Sequence, residues 1–152
     1  MVADLLVRAA QDADSRDIWC WRNDAVTRAM SLSTAEISWD AHVAWFAQAL
    51  TDISRRFYVA EAGGAKVGMC RFDLAYDGAS AEVSINLNPD LRGQGWGASV
   101  LAACIARFRQ DFPVTITATI RPDNAASQRI FARCGFVLVD NEGRDGFGHY
   151  RL

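Results

Sequence analysis

The segment Leu91–Val100, LRGQGWGASV, sets Gly93, Gly95 and Gly97 directly before an apolar stretch. Glycine at a helix start weakens the helix unless something needs the backbone bare. A helix N-terminus leaves its first N–H groups unpaired and carries partial positive charge, and glycines ahead of it let the backbone approach an anion. The stretch reads as a cradle for a phosphate or pyrophosphate. Taken alone, the same glycines also suit a turn of small residues at a packed helix start. The Walker pattern does not fit, because the segment has no lysine. The dinucleotide fingerprint fails on spacing, G-x-G-x-G instead of G-x-G-x-x-G, and on position, after the fourth strand instead of the first.

Other reactive side chains are sparse. Cys20, Cys70, Cys104 and Cys134 form no C-x-x-C pair and fall within predicted helices or strands, which suits buried, reduced thiols. Cys134, at a helix end before Gly135, reads as buried and not catalytic. His42 and His149 are far apart, so no zinc site is expected. Lys66 is the only lysine, so arginine supplies nearly all the positive charge; arginine matters wherever phosphate or carboxylate is bound.

The elements that must position these residues follow from periodicity. Leu5–Ala9 reads as a strand, and Asp14 as the cap of a helix over Ser15–Asn23. Residues 24–37 read as a loop with a short helix. Asp40 is expected to cap a helix through Leu50, with Trp39, Val43, Phe46 and Leu50 facing the core and His42 and Trp45 beside that stripe. Strands follow at Phe57–Glu61 and Lys66–Leu74, joined through Gly63-Gly64. Ala81–Asn88 alternates: Val83, Ile85 and Leu87 point one way, Glu82, Ser84 and Asn86 the other. Next come a helix from the glycines to about Gln110, a strand over Pro113–Ile120, a helix over Asp123–Cys134, and strands at Phe136–Val139 and Phe147–Leu152. With 152 residues, 51% of them apolar and 22% charged, this is one mixed α/β domain over residues 1–152. The net charge of −2 gives no pull toward nucleic acid. No apolar run is long enough for a membrane, and the N-terminus turns acidic too soon for a secretory signal, so a cytoplasmic protein is expected.

Arg92-Gly93-Gln94-Gly95-Trp96-Gly97 resembles the Q/R-x-x-G-x-G/A motif of the GNAT superfamily of acyl-CoA-dependent N-acyltransferases. NAASQRIFARCGF, Asn124–Phe136, resembles the N-x-x-A/S segment of the same superfamily with its later aromatic and G-F. The element order agrees, so the resemblance spans essentially the whole chain. It implies a mostly antiparallel central sheet flanked by helices and acetyl-CoA as co-substrate, with no metal. Gly93–Ala98, including Gln94 and Trp96, with Arg92, would hold the pyrophosphate. Ile85, Asn86 and Leu87 would run beside the pantetheine arm, one N–H polarising the thioester carbonyl. Asn124 and Ser127 would face that arm, although Asn124 also suits a plain helix cap and Ser127 a small packing residue.

Acyl transfer to an amine needs a neutral nucleophile and a protonated leaving thiolate. Relatives acting on ribosomal-protein amino termini often place a tyrosine seven residues after the asparagine and a glutamate five before it; here those positions are Phe131 and Thr119. Ser127 is then the nearest hydroxyl for the thiolate. Glu82 is a base acting through water, or else a solvated carboxylate. For the acceptor, WRNDAVTRAM and SWDAHVAWF resemble a branch that acetylates nucleotide-linked amino sugars. Arg28 and His42 become acceptor candidates, with Arg22 and Arg71 as further phosphate donors. The expected activity is acetyl transfer to a primary amine of a small molecule, a nucleotide-linked amino sugar within that class. Protein N-terminal or polyamine acetylation, and a non-catalytic acyl-CoA sensor, are the alternatives, and a homodimer is left open.

Overall fold

The computed structural model describes residues 4–140 and 146–152. Its strands are β1 Leu6–Ala9, β2 Arg55–Ala62, β3 Ala65–Leu74, β4 Ser80–Leu87, β5 Thr115–Ile120, β6 Val137–Asp140 and β7 Gly148–Arg151. Its helices are α1 Ser15–Asn23, α2 Ala25–Met30, α3 Trp39–Thr51, α4 Trp96–Asp111 and α5 Ala125–Arg133. The strands form one sheet in the order β1-β2-β3-β4-β5-β7-β6, antiparallel except where β4 meets β5. This is the mixed, mostly antiparallel sheet expected. No described helix is long and apolar enough to cross a membrane.

Alternation along the central strands divides the core in two. On one face Phe72, Val83, Ile116 and Ala118 pack under Leu101, Cys104 and Phe108 of α4, with Phe131 of α5. Phe72 and Phe108 stack at 4.2 Å between ring centres. On the other face Phe57, Val59 and Met69 meet Ile18 and Trp21 of α1 and Phe46 and Ala49 of α3. Glu82, Thr117 and Thr119 stand out from the α4 side, toward α1–α3.

Several local expectations are corrected. Asp14 precedes α1 but its side chain does not cap that helix; it accepts from the Gln11 N–H at 2.8 Å instead. It is 1% exposed and lies 2.8 Å from both Arg8 and Lys66, the chain's single lysine. The Arg8 guanidinium holds its carboxyl far below the usual carboxylate range. A buried carboxylate needs such charge partners more than a helix needs a cap. Ser38, not Asp40, caps α3, accepting from the Ala41 N–H at 3.2 Å. The buried face of α3 is His42, Phe46 and Ala49, with Leu50 packed at its edge, whereas Val43 is exposed. His42 can be inside because its Nε2 meets Ser15 Oγ at 3.1 Å. Cys70 and Cys104 are buried and Cys134 half-buried as expected, but Cys20 is exposed.

Candidate active site

The glycine loop leads into α4 with Gly93 at φ 74° and Gly95 at φ 79°. Both conformations are left-handed and favour glycine. Gly95 occupies the cap position of α4 and offers no side chain to its first N–H groups. The space beside the loop is open: a Cβ on Gly93 or Gly95 would meet nothing within 4 Å. Gly97 does other work. A Cβ there would lie 2.8 Å from Ile130 Cγ1, so this glycine lets α4 pack on α5. Arg92 pins the loop to α2, donating to Asp24 Oδ2 and to Thr27 Oγ1 at 3.0 Å. Asp24 also caps α2 by accepting from the Thr27 N–H, and the Arg92 contact holds its carboxyl below the ordinary value. A cavity of about 430 Å³ lies between loop, α2 and α5, lined by Arg92, Gly93, Gly95, Trp96, Gly97 and Ala98 among others.

The second feature is a split in the sheet. β3 and β4 stay paired up to Gly68 and Leu87. β4 and β5 pair only from Ser80–Thr115 to Glu82–Thr117. Beyond Glu82 the two parallel strands part, and the β5-facing edge of Val83–Leu87 has no strand partner among the described residues. Backbone donors and acceptors inside a fold demand partners, so an extended chain of matching polarity can add there as a strand would.

A larger cavity of about 470 Å³ opens on the α1–α3 side of this split. Its wall mixes apolar side chains, among them Ile18, Ile37, Trp45, Phe57 and Met69, with small polar residues, and its charged or titratable groups are Arg22, His42, Arg71, Glu82 and Arg121, with Thr119 beside Glu82. Burial pushes the His42 imidazole below its ordinary pKa, so at neutral pH it is uncharged. Thr119 Oγ1 donates to Glu82 Oε2 at 3.0 Å and lies 3.4 Å from His149 Nδ1. Because one hydroxyl carries one hydrogen, it can only accept from that imidazole while it donates to Glu82.

The two cavities share Met30, Ser31, Ile85, Asn86, Asn124 and Ser127. Asn124 caps α5: its Oδ1 accepts from the Ser127 N–H at 3.1 Å. Its Nδ2 donates to Ser127 Oγ at 3.0 Å and to the Met30 carbonyl at 3.3 Å. With its oxygen already accepting, the Ser127 hydroxyl can turn its own hydrogen into the junction.

Of the residues singled out from sequence, Ile85, Asn86, Leu87, Arg92, Gly93, Gly95, Trp96, Gly97, Ala98, Asn124 and Ser127 all line the smaller cavity. Glu82 and His42 line the larger one. Gln94 is exposed and lines neither. Arg28 also lines neither; its guanidinium donates to the carbonyls of Asn23 at 3.1 Å and Thr34 at 3.5 Å. Thr119 had signalled only a missing glutamate; the structure brings Glu82 to it from the neighbouring strand. Phe131 lines the cavity without a hydroxyl. Cys134 donates to the Ala98 carbonyl at 3.4 Å, and burial raises its thiol pKa, away from a nucleophile's range. Among the described residues, no group of three or more His, Cys, Asp or Glu could hold a metal ion.

The model of the acetyltransferase (GNAT) domain family matches residues 4–137. Comparison with curated proteins finds no match. Among solved structures, the spermidine N-acetyltransferase of Vibrio cholerae in complex with CoA and spermine superposes at a TM-score of 0.86. It is 19% identical, with 97% of this chain and 94% of that one covered. An N-acetyltransferase of Staphylococcus aureus Mu50 gives 0.79 at 22% identity, covering 99% and 98%. An aminoglycoside acetyltransferase in complex with coenzyme A gives 0.81 at 17% identity, covering 97% and 93%. At these identities the superpositions establish the fold.

Proposed function

The chain belongs to the acetyltransferase (GNAT) domain family, and from that premise we propose that it moves the acetyl group of acetyl-CoA to a primary amine of a small molecule. The observation that carries this reading is the meeting of two cavities at Ile85, Asn86, Asn124 and Ser127. The residues of the smaller cavity fit coenzyme A. Bare N–H groups at Gly93–Ala98 suit a pyrophosphate, and the unpaired β4 edge suits the amides of a pantetheine arm. When bound, acetyl-CoA supplies an acyl group activated as a thioester.

The protein's own groups then act from both sides of the junction. Backbone donors on the β4 edge are aimed where negative charge develops on an acyl oxygen. Ser127, oriented by Asn124, offers its hydrogen to a departing thiolate. Glu82, held by Thr119, takes the proton of the acceptor amine, directly or through a water. Among the described residues no activated nucleophile lies at the junction, so transfer is direct, with both substrates bound together.

Two acceptors compete within this class. A nucleotide-linked amino sugar follows from the sequence resemblance. A polyamine follows from the likeness to a spermidine N-acetyltransferase. The deciding experiment measures thiol release from acetyl-CoA against a panel of amines. Release matched by acetylated amine supports transfer. Tight acetyl-CoA binding without release on any amine would make the domain an acyl-CoA sensor instead.

A further inference from the structure

Among the described residues, one cation lining the larger cavity has no carboxylate partner. Glu82 is its only carboxylate among the described residues, against Arg22, Arg71 and Arg121. Arg71 Nε lies 3.0 Å from Asp73 Oδ2, and Arg121 Nε lies 3.0 Å from Asp123 Oδ1. Arg22 pairs with no carboxylate among the described residues. Its Nη2 donates to the Ser33 carbonyl at 3.2 Å, and its Nη1 is buried without a hydrogen-bond partner. Burial first, then the nearby charges of Arg71 and Arg28, work against its protonation. A guanidinium nitrogen that is buried with its donor unused is unfavourable unless something completes its bonding.

We propose that Arg22, with Arg71 beside it, seats an anionic group of the acceptor, so that the acceptor is an amine also bearing a carboxylate or a phosphate. The planar guanidinium fork matches either acid. The apolar wall around it, including Trp45 and Ile18, strengthens such a contact by excluding water. A polyamine would instead set like charge against Arg22. This inference rests on the larger cavity being the acceptor site.

The first test titrates anions into the full chain saturated with coenzyme A, so that the glycine loop is already filled. Inorganic phosphate is one calorimetric arm and succinate the other, which separates the two acids. At least one should bind, at least tenfold more weakly in Arg22→Gln, with Arg22→Lys in between because it keeps the charge and loses the fork. No binding of either, or equal binding across the three proteins, overturns the proposal. The second test compares matched acceptors by kcat/KM: glucosamine 6-phosphate with glucosamine, and 4-aminobutyrate with butylamine. The acid-bearing member of at least one pair should win by tenfold or more, and Arg22→Gln should erase that preference. Equal efficiencies, or a preference for spermidine, overturn the anion site and leave amine transfer standing. No thiol release with any amine defeats transfer itself, and the anion titration still decides for or against the Arg22 site.

Discussion

The two cavities are nearly equal in size, about 430 and 470 Å³, yet they are made of different material. The smaller is built mainly from backbone: a glycine loop, the bare start of α4, the unpaired edge of β4 and the capped start of α5. The larger is built from side chains that arrive from α1, α3, β2, β3, β4, β5 and α5. A backbone-made site depends on short stretches of sequence. A side-chain-made site depends on register and packing between distant stretches, so the two halves should fail differently when altered.

The largest effect is expected in the backbone-made half. Gly95 sits at φ 79° with open space beside it. Valine there adds strain of about 1–2 kcal/mol and fills the phosphate approach. Acetyl-CoA affinity should fall about a thousandfold, roughly 4 kcal/mol, by calorimetry, while tryptophan fluorescence of the acceptor half is preserved. Unchanged affinity in a folded protein would remove the loop from the site.

Asp14→Asn should act in the opposite half. It leaves Arg8 and Lys66 without their buried partner, at a cost of about 3 kcal/mol in chemical denaturation. Because α1 loosens, the acceptor KM should rise while acetyl-CoA affinity holds. The sign of the pH dependence follows from the lowered native pKa of this carboxyl. Its stabilisation is complete above the unfolded value, near pH 4, and is lost as the pH falls below it. The stability gap between wild type and Asp14→Asn should therefore close in acid. A gap independent of pH would show that Asp14 is not the charged centre of this cluster.

At the junction the effects become kinetic. Glu82→Gln should lower kcat about a hundredfold, within the range of a lost general base, with acetyl-CoA binding intact. Thr119→Val should lower it less, because it removes only the hydrogen bond that holds Glu82. Ser127→Ala is expected to have the smallest effect on kcat, below the range of a lost general acid, because water can replace a hydroxyl. Loss of acetyl-CoA affinity of the same size would make Ser127 a binding residue.

The same contrast explains what could be read in advance. The turn at Gly93 and Gly95 and the cap that Asn124 places on the Ser127 N–H were legible because each is made within a turn or two of chain. The alternation of β4 likewise showed that Glu82 faces away from Val83. Gly97 looked like a third phosphate glycine, but its crowding by Ile130 depends on how α4 meets α5. The Glu82–Thr119 hydrogen bond needs the parallel register of β4 and β5, 37 residues apart in sequence. The Arg92–Asp24 tie spans 68 residues. Nothing local to Arg28 shows that backbone carbonyls take up its guanidinium, and nothing local to Arg22 shows a donor left over. The α3 face was misjudged at Val43, and the Ser15 hydroxyl that lets His42 lie fully inside comes from another helix.

The central claim is that the glycine-loop cavity takes acetyl-CoA and the larger cavity is kept for the acceptor. Backbone amide shifts of the isotopically labelled protein, followed during titration with coenzyme A, test it directly. Large changes should be confined to Gly93–Ala98, Ile85–Leu87 and the start of α5, with Arg22, His42 and Arg71 little affected. Changes centred on Arg22, His42 and Arg71, with the glycine loop unmoved, would contradict it.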